Sequence, residues 1–296
     1  MNVTQKDIAE RLGISQYTVS YALRDSAAVA EQTRTRVQEL AAELGYRANS
    51  GARAMRTGRF NSVALVRSTF EARSWMPMDL LDGIEAELED RGYTLALTRL
   101  SDEELAAPER IPRLLRDLST DGMLINYISR VPHHLDALLK TSGIPCVWIN
   151  HKLPYDAVHL DDYAAGYDTA RHLHDLGHHR IAFLSRHEPT DDYAHYSLPD
   201  RLAGYHRAMG ERNLVADLRT PLANDDPSLF ATTRDLLARP AHKRPTAVIC
   251  YSEPELLAVL MTARELGLPI PDEFSVTGFL FDDSLIAYLA ADAVPA

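Results

Sequence analysis

From Arg59 onward, short apolar runs alternate with longer amphipathic stretches. The runs at 63–66, 95–98, 123–125, 146–149, 181–184, 247–250 and 275–277 predict strands. Between them, 78–90, 132–140, 163–176, 199–212, 228–238 and 254–266 carry apolar residues at helical spacing. Strands and helices in turn at this spacing predict parallel sheets with right-handed crossovers. Open sheets of that kind bind ligands beyond the carboxyl ends of their strands.

The first sixty residues follow another rhythm. Thr4 and Asp7 have capping-box spacing, and Ile8, Ala9 and Leu12 form the apolar stripe of a short helix that Gly13 ends. Ser15 is placed to cap a second helix, in which Val19, Ala22 and Leu23 point inward. Tyr17, Ser20, Tyr21 and Arg24, at i, i+3, i+4 and i+7, share the opposite face, with Gln16 at its N-terminal end. A third helix is predicted over 33–44 from Val37, Leu40, Ala41 and Leu44, with Gly45 after it. Two tyrosines and an amide on a polar face suit base edges in a major groove, with hydroxyls and a guanidinium left for phosphates. A plain three-helix bundle that exposes polar residues has the same pattern.

Charge separates these two regions. The net charge is −11, yet residues 1–60 carry nine basic against six acidic side chains, a balance of +3 that leaves −14 for the rest. A basic head can meet a phosphate backbone that repels the acidic body. No apolar run approaches the ~18 residues of a membrane span, and the polar N-terminus lacks a signal-peptide core, so a cytoplasmic protein is expected. Cys146 and Cys250 lie in separate strand-like runs and are expected as buried free thiols.

The sequence has no G-x-G-x-x-G, Walker loop or G-x-S-x-G elbow, so neither an enzyme nor a cofactor is expected. His174 and His178 have metal-ligand spacing beside His172 and His179, but Gly177 intervenes and the rings need not share a face. The acid pairs Asp161–Asp162, Asp191–Asp192 and Asp282–Asp283 read as solvated loop residues or helix caps.

The stretches VTQKDIAERLGIS, TVS, TRTRVQELAAELGY and ARAMRTGR resemble the DNA-binding head of the lactose-repressor (LacI) family almost end to end. The resemblance implies a helix-turn-helix domain over 1–48, a hinge helix over 49–58, and an effector-binding and dimerisation domain over 59–296. In fold terms this is an all-α head plus an α/β periplasmic-binding-protein-like core of two parallel-sheet subdomains. The chain would cross between subdomains near 155–162 and again near 281–290. By position, Gln16, Tyr17 and Tyr21 fall where the family meets base edges, and Thr4, Ser15, Thr18 and Ser20 where it meets phosphates. Arg24 suits a phosphate, while Tyr21 stands where many relatives carry Arg. In the hinge, Asn49 would cap, Ala52 and Met55 form the apolar face, Met55 supplies the minor-groove wedge, and Arg53 and Arg56 face DNA. Gly51 costs that helix roughly 1 kcal/mol relative to Ala, so it would order only on DNA in a dimer.

The pieces LDGIEAELEDRGY, DGMLINY, IPCVWIN, DTARHLHDLGHHRIAFLS, RLAGYHRAM and LGLPIPDEFSVTGF are similar to the family's sensing module. The resemblance places Arg201 on a clamp for vicinal sugar hydroxyls or a purine, Asn126 and Asn150 at ligand-facing strand ends, and Trp75, Met76 and Leu80 on an apolar lip. Glu253 and Asp282 complete the candidate effector set. Ser252-Glu253 replaces a usual Asn-Asp, and Leu280-Phe281 displaces the usual acid pair to Asp282-Asp283. Relatives usually continue beyond the point that Ala296 marks here, which implies an incomplete second subdomain with an exposed sheet edge. The expected function is a homodimeric repressor that binds a palindromic double-stranded operator under control of a small-molecule effector, a sugar first. A solute-binding module, or a regulator that has lost its effector response, is the alternative.

Overall fold

The computed structural model describes residues 3–46, 58–70, 73–101, 119–129, 131, 134–191, 194–221 and 226–279. The chain divides into two units, 1–60 and 61–296.

The first unit holds α1 (Gln5–Leu12), α2 (Gln16–Ala22) and α3 (Glu31–Glu43). Ile8, Val19, Ala22 and Val37 meet in a small closed core. The Thr4–Asp7 capping box forms, Gly13 ends α1 at φ 64°, and the Ser15 side chain accepts from the Thr18 N–H. Helix α3 starts two residues before the expected 33, at a junction where Ala30 offers no side-chain cap to read in the sequence. The hinge residues Asn49, Ala52, Arg53, Met55 and Arg56 lie outside the described residues.

The second unit contains two parallel sheets. In the first, β1 (Ser62–Ser68), β2 (Thr94–Leu100), β3 (Gly122–Asn126), β4 (Cys146–Ile149) and β5 (Ala157–Val158) lie in the order β2-β1-β3-β4-β5. In the second, β6 (Ile181–Leu184), β7 (Asp217–Arg219), β8 (Ala247–Cys250) and β9 (Ser275–Gly278) lie in the order β7-β6-β8-β9. The helices between them are α4 (Met78–Asp90), α5 (Leu135–Thr141), α6 (Asp162–Asp175), α7 (Ser197–Glu211), α8 (Asp226–Leu237) and α9 (Glu253–Glu265). All seven expected strands form. The two unforeseen ones, β5 and β7, are short half-buried or exposed edges with no apolar run. Both cysteines are free, as expected, but Cys146 is only half-buried while Cys250 is buried. His178 bonds Thr246 and Ser275, and His174 and His179 meet edge to face.

Burial explains the different compositions of the two sheets. The second is covered on both faces: Ala182, Leu184, Val248 and Cys250 pack with α8 and α9, whereas Ile181, Phe183, Ala247 and Ile249 pack with α6 and α7. Its central strands are therefore unbroken apolar runs. The first sheet has its core on one side, with Val66, Met123, Ile125 and Trp148 against Leu135 and Leu139 of α5. On the other side no residue of α4 is buried, and Leu97 of β2 is 59% exposed.

Helices α6 and α7 cross so closely that side chains are excluded. A Cβ on Gly166 would lie 2.0 Å from the Arg201 carbonyl oxygen, and one on Gly204 would lie 2.1 Å from that of Tyr163. Backbone cannot yield as a flexible side chain can. Gly166→Ala or Gly204→Ala is expected to lower the unfolding free energy of the second unit by about 3 kcal/mol. Gly83→Ala in α4, where a Cβ meets nothing within 4 Å, should be neutral or raise it by about 0.5–1 kcal/mol. Urea unfolding of the three variants checks this.

Candidate nucleic-acid interface and effector cleft

The recognition face on α2 is assembled from the cap upward. Ser15 accepts the Thr18 N–H at 3.0 Å and shares a 2.8 Å hydrogen bond with the Thr18 hydroxyl. Thr4 gives its N–H and hydroxyl to the Asp7 carboxylate at 2.7 and 2.8 Å, which holds that carboxyl below the usual range. These hydroxyls build the two helix starts before they meet any partner. Gln16 and Tyr17 are exposed. The Tyr17 and Tyr21 rings lie 4.3 Å apart, and the Arg24 guanidinium sits 4.6 Å over Tyr21. Ser20 belongs under this face rather than on it: it is buried and receives Arg24 through its carbonyl and hydroxyl.

In the second unit, polar groups converge where β4 and β8 end beside the starts of α6 and α7. Arg201 on α7 is 5% exposed. Its Nε donates to Asp162 at 2.8 Å and its Nη1 to the Tyr251 carbonyl at 3.2 Å. The guanidinium lies 4.1 Å from the Phe279 ring centre and 5.3 Å from that of Tyr251. Two of the five guanidinium N–H donors are thus engaged and one face is covered, leaving an edge for vicinal oxygens. Asn150 ends β4 at φ 53°, a left-handed conformation that Asn tolerates. Its carbonyl bonds the His195 ring at 2.9 Å, and its side-chain oxygen accepts from the Tyr196 hydroxyl at 3.3 Å. Ser197 joins His195 to the Tyr251 hydroxyl, each at 2.9 Å. Lys152 and Asp200 add a 2.6 Å ion pair along the same seam. Burial pushes His195 below its ordinary value, and the Asn150 carbonyl opposes this. Burial also raises the Tyr196 and Tyr251 phenols.

The expected effector residues are only partly brought together. Arg201 and Asn150 lie at the seam. Asn126 is buried and donates to the Ser74 carbonyl at 2.8 Å, while the Ser74 hydroxyl bonds the Asn126 carbonyl, so its side chain clamps the 73–77 loop. That loop carries Trp75, exposed, and Met76, half-buried, and Leu80 is exposed on α4. Glu253 opens α9, but the buried acid there is Glu255, which accepts the Arg186 N–H at 2.7 Å. Asp282, Leu280 and Phe281 lie outside the described residues. Of the first acid pair, Asp161 is the expected cap, accepting from Ala164 at 2.9 Å, whereas Asp162 is the buried partner of Arg201. Asp162, His195, Tyr196, Ser197 and Tyr251 escaped the sequence reading. For Asp162 the sequence offered only its place just before the helix expected over 163–176, where it read as a loop acid or cap.

A capped helix-turn-helix joined to a two-sheet α/β unit with a polar seam defines a DNA-binding regulator of the ligand-sensing kind. Comparisons with known proteins agree. Residues 4–49 match the bacterial regulatory proteins of the lacI family, and residues 170–294 match the periplasmic binding protein-like domain. The HTH-type transcriptional repressor PurR of Vibrio campbellii is 28% identical over 93% of this chain and 81% of its own length. The lac repressor dimer bound to operator and the anti-inducer ONPF superposes with a TM-score of 0.70 at 22% identity, covering 94% of this chain and 82% of that one. A complex of the transcriptional regulator CelR with cellobiose gives 0.59 at 25%, covering 99% and 85%. The chain is thus similar, head and core together, to transcriptional regulators of the lacI family.

Two measurements test the seam. The Arg201–Asp162 side chains are 6% and 2% exposed, so Asp162→Ala strands a buried cation and should cost about 3–5 kcal/mol in denaturant unfolding. His195 is the pH-sensitive element. Above its ordinary 6.5 both folded and unfolded chains hold it neutral, and its contribution is complete. As pH falls below that value the unfolded chain takes up a proton that the folded chain resists, so stability declines until the lowered folded pKa is passed. His195→Gln should flatten the fall in unfolding midpoint between about pH 7.5 and 5.5.

Proposed function

We propose that this protein is a cytoplasmic, homodimeric repressor that binds a palindromic double-stranded operator through paired α2 helices and responds to a sugar-like effector. The observation that carries the operator reading is the face of α2, where exposed Gln16 and Tyr17 join Tyr21 on a helix capped at Ser15. Gln16, Tyr17 and Tyr21 would read bases, while Thr4, Ser15 and Thr18 would approach phosphates. Asn49, Ala52, Arg53, Met55 and Arg56 of the hinge would enter the minor groove, between a head over 1–48 and a sensing domain over 59–296. A symmetric dimer places two heads on two half-sites. Exposed Met78 and Leu80 on α4 and Leu97 on β2 support pairing through the first sheet.

Arg201 supports a ligand with vicinal oxygens, with Asn150, Trp75, Met76 and Asp282 as further contacts. Binding at the seam would draw the subdomains together and bias the hinge helices between ordered and melted states. The chemistry gathered at Arg201 is that of binding: a buried guanidinium is held in one orientation by Asp162 and the Tyr251 carbonyl. We therefore read the protein as a regulator rather than an enzyme.

Selection of bound sequences from a random duplex pool, repeated with sugars and purines, tests both halves. A palindrome should be enriched and its enrichment altered by at least one ligand. No palindrome sinks the operator reading, and enrichment indifferent to every ligand leaves a regulator without a working sensor. Tyr17→Ala should lower discrimination by about 1–3 kcal/mol at one position per half-site, while Arg56→Ala should weaken binding to all sequences alike.

A further inference from the structure

The Tyr17 ring is 68% exposed, with little of the head's core to hold it. What it does touch is Tyr21, whose ring lies 4.3 Å away at 36°. Tyr21 is half-buried and packs against the Ile8–Val19–Val37 core, so it anchors the pair. The other contact on Tyr21 is the Arg24 guanidinium, 4.6 Å from the ring centre. Arg24 is itself tethered. Its Nε donates to the Ser20 carbonyl at 2.9 Å and its Nη2 to the Ser20 hydroxyl at 3.3 Å. Ser20 is 7% exposed, so its hydroxyl is directed at this arginine rather than at solvent. Helical spacing makes the stack possible, because 17 to 21 and 20 to 24 are i to i+4 and 21 to 24 is i to i+3.

We propose that Arg24 is a positioning residue for base readout: folded back on Ser20, it clamps Tyr21 against Tyr17 so that the two rings meet the major groove as one ordered plate. The sequence alone would send this charge to a phosphate. The geometry instead uses two of its donors inside the helix while its planar face covers an aromatic ring, a combination that the fork of a guanidinium allows and the point charge of an ammonium does not. A plate ordered before DNA arrives lowers the entropy lost on binding and aims both phenols at adjacent bases, which sharpens discrimination. The inference rests on the operator reading above and adds where its specificity comes from.

The test compares the full-length parent with Arg24→Gln and Arg24→Lys. For each, base preferences are measured by selection from random duplexes, and the slope of log affinity against log salt is measured on the parent's best site. Both variants are expected to lose about tenfold in discrimination at the one or two adjacent positions under the tyrosines in each half-site. The remaining positions and the salt slope should match the parent. A slope shallower by about 0.9 in Arg24→Gln, with preferences intact in both variants and the slope restored in Arg24→Lys, makes Arg24 a phosphate contact and overturns the proposal. Flattening at every position alike also overturns it, as damage to the whole head. A parent that enriches a palindrome while its variants are indistinguishable from it overturns this inference alone. A parent that enriches none overturns the operator reading, and this inference with it.

Discussion

The seam of the sensing unit depends on a backbone contact between α6 and α7. Where these helices cross, Gly166 and Gly204 let each chain rest against the other's carbonyl oxygens. That closeness lets Asp162, at the start of α6, reach Arg201 on α7 in a nearly dry ion pair. A pair so desolvated contributes little net stability, since lost hydration offsets much of the attraction. Its role is orientation. With Nε held by Asp162 and Nη1 by the Tyr251 carbonyl, the free guanidinium edge has one direction left. Ser197 and Tyr251 extend this arrangement to β8, and His195 extends it to Asn150 at the end of β4.

The two sheets divide the work according to what covers them. The second is sandwiched, and its interior helix pair carries Arg201 on a rigid support. The first carries its described core cluster on one side, while on the other α4 has no buried residue and Leu97 is exposed. A binding site of the kind proposed at Arg201 needs rigid support, and the sandwiched second sheet supplies it.

The head works by local means. Its two caps, its left-handed Gly13 and its i, i+4 stacks all lie within a few residues of one another along the chain. For that reason the helix starts, the Gly turn and the shared face of Tyr17, Tyr21 and Arg24 were legible directly in the sequence. Helix α3 was misplaced by two residues because Ala30 leaves no capping signal. Ser20 was misjudged for a similar reason, since the spacing that put it beside Tyr17 did not show that Arg24 would cover it.

The sequence by itself determined the element order, the parallel sheets and the face of α2, because periodicity and capping act over one or two helical turns. Tertiary structure alone decided which polar groups meet at the seam. Asp162 meets Arg201 across 39 residues, and Asn150 meets His195 across 45. It also engaged Asn126, expected at a ligand-facing strand end, in clamping a loop through Ser74 from 52 residues away. Such pairings depend on how closely helices and strands approach. Here that distance is set by two glycines whose effect appears only once α6 and α7 are in contact.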